Sequence, residues 1–462
     1  MDVVFLSRIQ FALTSAFHYI YPPMSIGIGL MLVIFEGVYM KTKLPLYKEI
    51  TKFWVKIFAL TFALGVATGI VQLFGFGTNW SRYSRFVGDV FGSALGAEGI
   101  FAFFLEAGFL GIMLFGWERV SPRLHYVSTI LVCLGAHFSA VWITIANSWM
   151  QTPAGFKIVG EGAQARAVVT DFWAMLFNPS SIDRLVHVTL GCWLAGIFLV
   201  LSVTAYYYLK KQHLESANHM MKMGLIAAAI SLVLQLISAD ITARGVAFNQ
   251  PSKFAAMEGV YKTQGNASLS IIGWVDQKNE EVKGLKIPGL LSYLVYRDVQ
   301  KPVIGFDQIP VENRPPVQVV FQTYHLMIAM WGLMAFVTLA AFFYWKRKKL
   351  HRTKWVLWCL IVSVLFPQIA NQVGWMTAEI GRQPWIVYNI LRTSDGASPR
   401  VSAQQVSLSI TMFLVIYALL FVLFIFLLDK KIKHGPDLVE PQGEIVPVYR
   451  NPFKVSQGGK HE

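Results

Sequence analysis

The chain has 462 residues, of which 55% are hydrophobic and only 14% are charged. Soluble domains carry about 25% charged residues, so this composition excludes an ordinary soluble protein, and equally a disordered chain, a coiled coil, a collagen and a disulfide-stapled secreted domain. The 40 Lys and Arg outnumber the 26 Asp and Glu and give a net charge of +14, which in a membrane protein indicates basic cytoplasmic loops rather than nucleic-acid binding.

Nine segments are apolar over roughly the 20 residues that a helix needs to cross a bilayer. In chain order they lie at 13–38, 55–75, 94–116, 125–147, 186–209, 221–239, 318–344, 355–378 and 405–428. The expected fold is an all-α polytopic membrane protein with about nine transmembrane helices. Helices one to six lie within 1–239 and helices seven to nine within 318–433. A long polar loop, 240–317, separates the two groups, and 434–462 is a polar tail.

The basic residues predict the orientation of these helices. Dense basic clusters follow spans one, three, five, seven and nine, and the densest is WKRKKLHRTK at 345–354. Because basic loops stay on the cytoplasmic side, the C-terminus is expected in the cytoplasm. An odd number of spans then places the N-terminus outside, and the loop 240–317 faces outside as well.

Ionisable side chains inside a bilayer are costly, so each one marks a candidate functional site. Within the predicted spans they are His18, His137, His187, His325, Glu98, Glu106 and Glu379. Glu36 lies near the inner end of the first span, where it is expected to reach the headgroups.

Several of these residues share one depth in the expected orientation. His18, His187 and His325 lie toward the outer ends of three helices. Glu379 ends a fourth helix on the same side, and Met327 follows His325 by two residues. His, Met and less commonly carboxylate bind haem iron, so the pattern indicates one or more haems. Two alternatives stay open: histidines hydrogen-bonded between helices, and an ion pathway through a transporter.

His325 and Met327 are separated by about 200° around a helix, so only one can face a given iron. Chemistry alone favours the imidazole of His325. Glu98 and Glu106 lie about 12 Å apart along one helix with about 80° between them, so both can line one polar track. Buried carboxylates suit a proton relay, and the alternative is a pair of carboxyl groups hydrogen-bonded to helix Ser or Thr.

Five segments resemble subunit I of the cytochrome bd-type quinol oxidases. They are LSRIQFALTSAFH (6–18), ALGVATGIVQLFGFGTNW (63–80), AEGIFAFFLE (97–106), ANSWMQTP (146–153) and GWMTAEIGRQPW (374–385). The resemblance runs from residue 2 to about 428 and includes the nine-span layout. It also makes 240–317 the external quinol-binding loop, here in a short form that lacks the C-terminal insertion of some members.

The resemblance implies a haem-containing subunit of a terminal respiratory oxidase in a bacterial cytoplasmic membrane. Such an enzyme oxidises membrane quinol and reduces dioxygen to water, with electrogenic proton uptake from the cytoplasm and no pump. Its cofactors would be a low-spin haem b, a high-spin haem b and haem d, or a third haem b in place of haem d. A second large membrane subunit, subunit II, is implied, and a small single-helix accessory subunit is allowed.

The resemblance also implies roles for individual residues. His187 and Met327 correspond to the axial ligands of the low-spin haem, on the motif YHLMIA, in preference to His325, where the family often has arginine. His18 and Glu379 correspond to ligands of the two high-spin haems, without deciding which holds haem d. Arg382 and Trp375 correspond to groups of the haem environment.

Two further sets follow from the same resemblance. Residues of the polar tracks for protons and haem d are Glu98, Glu106, Ser139 and Asn147. Lys253 and Glu258, within QPSKFAAMEGV, match the quinol site of the external loop, although on their own they are typical of solvated loop charges. Two other functions stay open: a b-type cytochrome that passes quinol electrons to a different acceptor, and a haem-free membrane transporter.

Overall fold

The structure, a computed structural model, describes residues 2–98 and 104–437. Its helices are α1 (Val3–His18), α2 (Tyr21–Thr42), α3 (Pro45–Thr78), α4 (Ser81–Phe86), α5 (Gly88–Ala97), α6 (Phe104–Phe115), α7 (Pro122–Gln151), α8 (Phe172–Leu176), α9 (Ser181–Lys210), α10 (Leu214–Asn249), α11 (Pro251–Glu258), α12 (Leu290–Tyr296), α13 (Val317–Lys346), α14 (Lys354–Val362), α15 (Leu365–Ile380), α16 (Thr393–Gly396) and α17 (Ala403–His434). Three antiparallel hairpins join β1 (Phe156–Val159) to β2 (Arg166–Val169), β3 (Leu269–Asp276) to β4 (Glu281–Ile287), and β5 (Trp385–Val387) to β6 (Leu391–Arg392).

Long apolar helices confirm the predicted class of an all-α membrane protein. Over the described ranges, eight helical stretches are long and apolar enough to span a bilayer: Val3–Thr42, Pro45–Thr78, Pro122–Gln151, Ser181–Lys210, Leu214–Asn249, Val311–Lys346, Lys354–Ile380 and Ala403–His434. Each contains one predicted span. The remaining predicted span, 94–116, includes residues outside the described ranges and a shorter apolar helix at Leu105–Phe115, so a ninth crossing stays a prediction. The predicted tail lies outside the described residues beyond Asp437.

A helix boundary divides the first predicted span, 13–38. The helix α1 ends at His18, and α2 begins at Tyr21 with Pro22 and Pro23 in its first turn. Proline lacks an N–H donor and suits the first turn of a helix, where that donor would have no partner. His18 therefore lies at a helix end.

The long loop predicted at 240–317 is a folded unit. The helix α10 continues to Asn249, and its 36 residues are about 54 Å long, well beyond the hydrocarbon of a bilayer. After it come α11, the β3–β4 hairpin and α12. These elements share a buried apolar core that includes Phe254, Val275, Leu291 and Phe306 and reaches Phe321 on α13. The loop is therefore held rigidly against the helix that carries Met327.

Close packing of α2 against α9 fixes the position of α9 and hence of His187. A Cβ placed on Gly196 would come within 2.2 Å of the carbonyl carbon of Gly27. Small residues at a crossing let two membrane helices approach closely, so the helices are in backbone contact here. Around this crossing lies the main apolar core, with Phe35, Phe58 and Phe198 fully buried.

Candidate functional site

A buried polar cluster joins the C-terminal ends of α7 and α15 to the start of α9 and to α11. Glu379 on α15 accepts hydrogen bonds from Asn147 Nδ2 at 3.0 Å and from Gln151 Nε2 at 3.2 Å. Arg382, one turn further along, forms an ion pair with the same carboxylate. The predicted pair Glu379 and Arg382 thus lies together, and Asn147 joins it.

Two more cations approach the same carboxylate. Arg184 donates from Nη2 to Asn147 Oδ1 at 2.5 Å. Lys253 donates from Nζ to Gln151 Oε1 and, at 2.6 Å, to Gln250 Oε1. Three cationic side chains therefore lie around one glutamate, so the cluster carries an excess of positive charge.

Lys253 and Glu258 are buried, with 2% and 3% of their surfaces exposed. The interpretation of this pair as solvated loop charges was wrong. Burial holds the pKa of Lys253 well below its usual value, and the nearby guanidinium groups of Arg184 and Arg382 lower it further. Burial raises the pKa of Glu258 to about 8, and a hydrogen bond with Tyr324 offsets part of this increase.

A cavity of about 170 Å³ adjoins Glu258. Tyr261 of the loop and Ser270 of β3 line other parts of it. The Oε2 atom of Glu258 is buried and has no hydrogen-bond partner in the described part of the chain. A buried carboxyl oxygen without a partner beside a cavity is available to a ligand that donates a hydroxyl hydrogen bond.

His18 presents one free ring nitrogen. Its Nδ1 lies 2.9 Å from Thr68 Oγ1, and the Thr68 hydroxyl donates to the Leu64 carbonyl oxygen at 2.7 Å. The hydroxyl must therefore accept from Nδ1–H, which leaves the lone pair of Nε2 available. A ring fixed through its second nitrogen is typical of a histidine that binds metal. A Cβ on Gly69 would lie 3.1 Å from His18 Cε1, so a glycine is needed there.

The structure distinguishes between Met327 and His325. Both ring nitrogens of His325 lie 2.8 Å from backbone carbonyl oxygens, those of Phe321 and Ser270. A Cβ on Gly374 of α15 would come within 3.0 Å of Met327 Sδ, so a glycine makes room for the sulfur. The geometry favours Met327 as a ligand and disfavours the imidazole that simple chemistry preferred.

His187 and His137 differ in whether both of their ring nitrogens are hydrogen-bonded. Gln235 Nε2 lies 3.1 Å from Nδ1 and 3.2 Å from Nε2 of His187, and its buried Oε1 has no hydrogen-bond partner among the described residues. With the amide oxygen and nitrogen exchanged, Oε1 accepts from one ring N–H and the lone pair of the other ring nitrogen stays available. Both nitrogens of His137 are used, at 2.7 Å from the Cys133 carbonyl oxygen and 2.8 Å from Trp193 Nε1. His137 thus fits the alternative of a histidine hydrogen-bonded between helices, whereas His187 keeps a nitrogen free.

Trp375 lies among the candidate ligands. Its ring meets the ring of Tyr19, the residue after His18, edge to face with centroids 5.5 Å apart. The guanidinium carbon of Arg184 lies 6.0 Å from the ring centroid. Trp375 is also one turn before Glu379 on α15. The indole therefore lies against the residue that follows His18, near Arg184 of α9, and on the same helix as Glu379.

Of the predicted proton residues, Asn147 belongs to the Glu379 cluster, whereas Ser139 and Glu98 lie together elsewhere. Ser139 Oγ donates to Glu98 Oε1 at 2.5 Å, and Glu106 is buried. Glu98 thus has the helix serine partner that the alternative interpretation named. Residues 99–103 lie outside the described ranges, so a shared track of Glu98 and Glu106 stays a prediction.

Sequence reasoning missed several buried polar residues. Arg184 was not singled out, although it precedes His187 by one helical turn, and Gln151 appeared only as part of the segment ANSWMQTP. Glu36 was wrongly expected near the headgroups: it is 1% exposed and lies 2.6 Å from both His125 Nδ1 and Thr129 Oγ1. Its i, i+4 partners on α7 are the signal that a search for paired polar residues on neighbouring helices could have used.

The donor set fits haem groups. The candidate ligands stand singly on their helices, and no group of three His, Cys, Asp or Glu converges anywhere in 2–98 or 104–437 as a bare metal ion would need. Buried Arg184 Nε and Arg382 Nη1 have no hydrogen-bond partner there. A haem carries two propionate carboxylates, and arginine forks bind carboxylates strongly. The propionates of a haem would therefore provide the hydrogen-bond acceptors that these arginine nitrogens lack.

Comparisons with known proteins decide the family. The family described as cytochrome bd terminal oxidase subunit I matches residues 6–436. The chain belongs to this family. It is 37% identical to cytochrome bd ubiquinol oxidase subunit 1 of Bacillus subtilis (strain 168), over 98% of each chain. It is 31% identical to cytochrome bd-II ubiquinol oxidase subunit 1 of Escherichia coli (strain K12), over 96% of this chain and 98% of that one.

The fold of the cytochrome bd family is shared as well. The structure of bd oxidase from Geobacillus thermodenitrificans superposes with a TM-score of 0.87 at 29% identity. The superposition covers 94% of this chain and 99% of that chain. The match therefore covers nearly the whole described chain, including the segment 240–317, and confirms the resemblance to this family.

Proposed function

We propose that this chain is the haem-bearing subunit I of a terminal oxidase that oxidises membrane quinol and reduces dioxygen to water. The observation that carries the proposal is the cluster around Glu379, in which buried nitrogens of Arg184 and Arg382 have no hydrogen-bond partner among the described residues. Arg382 pairs with Glu379, and Arg184 lies one helical turn before His187. The relatives in Bacillus subtilis and Escherichia coli are ubiquinol oxidases by name, which supports quinol as the reductant.

The proposed ligands are His187 and Met327 for a low-spin haem b, and His18 and Glu379 for two high-spin groups, a haem b and a haem d or third haem b. Bound haem would supply one-electron transfer and, where a coordination position is open, oxygen binding. The protein orients the ligands. Thr68 holds the His18 ring by Nδ1–H, and Arg382 with two amides holds the Glu379 carboxylate in position.

The quinol site is proposed at the cavity beside α11. Oxidation of a quinol releases protons, so a base with a pKa near the working pH must accept one. Glu258 meets that requirement, since burial raises its pKa to about 8. Lys253 lies one helix turn away and reaches Glu379 through Gln151, which accepts from Lys253 and donates to Glu379. The side-chain amide of Gln151 thus connects Lys253 of the loop to the cluster around Glu379.

Replacing Glu258 with glutamine is expected to lower quinol turnover at least tenfold and to leave all haem absorption bands intact. In the native protein the carboxylate fraction, and with it the rate, rises as pH increases through about 8, because the buried carboxyl group loses its proton there. The glutamine variant should show a low and pH-independent rate. Glu312→Gln, an exposed change in the same loop, is the matched control. Loss of haem from Glu258→Gln would contradict the loop-site assignment.

The remaining assignments concern orientation and partners. The N-terminus is proposed outside and the C-terminus in the cytoplasm of a bacterial membrane, with protons taken up through Glu98 and Glu106 and without a pump. A second large subunit is proposed to pack on the apolar helices that this chain leaves exposed. The helix α17 is the clearest example, since Leu408, Leu419 and Val422 are each at least two-thirds exposed. A small accessory subunit is compatible with the same surface.

The decisive experiment is the reduced-minus-oxidised absorption spectrum of the protein purified with its co-expressed partner, repeated with carbon monoxide. A far-red chlorin band that shifts with carbon monoxide is expected. Only b-type bands that respond to carbon monoxide would replace haem d by haem b. The same bands without any response would indicate a cytochrome with a different acceptor, and absence of haem would favour a transporter.

A further inference from the structure

Arg184 is a buried arginine whose cation has no carboxylate partner in the described chain. It lies in the first turn of α9 with 9% of its surface exposed. Its Nη2 donates to the neutral amide of Asn147, and its Nε is buried without a partner among the described residues. Its backbone N–H donates to Asp183 Oδ1 at 2.9 Å, but its guanidinium forms none of the ion pairs found in 2–98 and 104–437.

The surroundings of Arg184 increase the need for an anion. Glu379, the carboxylate of the cluster, already pairs with Arg382 and accepts from two amides. Lys253 adds a third basic side chain to the same cluster. A buried cation without a paired counterion is costly by several kcal/mol, so a negatively charged group in addition to the described side chains would stabilise Arg184 at its Nε edge.

The position of Arg184 indicates which anion. Arg184 and His187 are three residues apart on α9, so their side chains are neighbours on one helix face. The same guanidinium lies over the ring of Trp375, which keeps its plane fixed. A group that binds through His187 and extends one helical turn toward the start of α9 would bring its periphery to the unused Nε–H.

We propose that Arg184 binds a propionate carboxylate of the haem held by His187 and that its charge raises the midpoint potential of that haem. The inference rests on the proposed function, because it needs a haem at His187. Reduction lowers the positive charge of the iron, so a nearby fixed cation stabilises the reduced form. The planar fork of arginine also gives two parallel N–H donors to one carboxylate, which a lysine cannot reproduce.

The test is a redox titration of the low-spin haem band in the purified complex, for the native protein and three variants. Arg184→Gln removes the charge, and Arg184→Lys keeps it without the fork. Arg297→Gln is the matched control, since Arg297 is a half-exposed loop arginine paired with Asp240. We expect Arg184→Gln to decrease the reduced fraction at least tenfold at a fixed potential, which is 59 mV for a one-electron couple. Arg184→Lys should retain most of the native potential, and Arg297→Gln all of it.

Each outcome decides the proposal. An unchanged midpoint potential in Arg184→Gln overturns the proposal. If this variant instead loses lipid phosphate that copurifies with the native protein, the anion bound by Arg184 is a lipid headgroup. Loss of the low-spin haem from Arg184→Gln passes the decision to Arg184→Lys: a native-like midpoint potential supports the proposal, and a potential at least 59 mV lower overturns the role of the charge. Absence of a low-spin haem from the native protein would refute the proposed function itself, which separates the two failures.

Discussion

Replacing Glu379 with alanine is expected to abolish one high-spin haem signal and to leave the low-spin signal in place. The carboxylate is the one acidic group at the centre of the cluster and is held by Asn147, Gln151 and Arg382. Its removal also leaves Arg382, 3% exposed, without its counterion. Only the arginine of this pair is buried, since the Glu379 side chain is about one-third exposed, so a modest decrease in melting temperature is expected as well.

Glu379→Gln separates the two effects. Glutamine keeps the shape and one acceptor oxygen but cannot carry the negative charge that a ferric haem and Arg382 both need. We expect the high-spin signal to disappear in both variants, with a smaller loss of thermal stability for glutamine. The measurements are electron paramagnetic resonance of the oxidised complex and haem content per chain. A native high-spin signal in both variants would refute Glu379 as a ligand.

The sequence predicted the membrane helices well because their signal is local. A run of apolar residues such as 405–428 needs no information from elsewhere in the chain, and α17 contains it entirely. The helix ends were less accurate. Apolar content does not mark where α10 stops, since the helix continues to Asn249 with polar residues that lie beyond the hydrocarbon.

Burial of the loop charges could not be predicted locally. Lys253 is covered because Gln151, at the end of α7, accepts its ammonium group. That contact joins positions about a hundred residues apart, and composition around 250–260 contains no trace of it. The same holds for Glu36, whose partner His125 lies on another helix. The family resemblance selected Lys253 and Glu258 as candidate site residues, but only the fold explains why their side chains are buried.

The fold changes the role that is assigned to His325. Read alone, an imidazole two residues from a methionine is the stronger candidate for iron. In the structure it hydrogen bonds the carbonyl oxygens of Phe321, on its own helix, and of Ser270, on β3. Ser270 also lines the cavity beside Glu258. His325 therefore connects the loop to α13, and the proposed quinol pocket lies against the helix of the proposed low-spin haem.

Replacing Met327 with leucine is expected to eliminate the sharp low-spin band while the haem itself stays bound through His187. Exchanges between Met and Leu conserve volume and cost less than about 1.5 kcal/mol, so the fold should be retained. Met334→Leu, at a buried position of the same helix, is the matched control and should keep the band. Without the thioether, His325 cannot substitute, because both its nitrogens face carbonyl oxygens at 2.8 Å.

Absorption spectra of the reduced complexes, recorded with haem content per chain, measure this directly. Survival of the band in Met327→Leu would show that a different residue holds the iron. His325→Gln in the same background would then decide whether His325 is that residue. Because His325 bridges α13 and β3, its substitution alone should instead loosen the loop and weaken quinol turnover, with the low-spin band unchanged. The two variants thus separate an iron ligand from a support of the quinol pocket, although the two residues are only two positions apart on one helix.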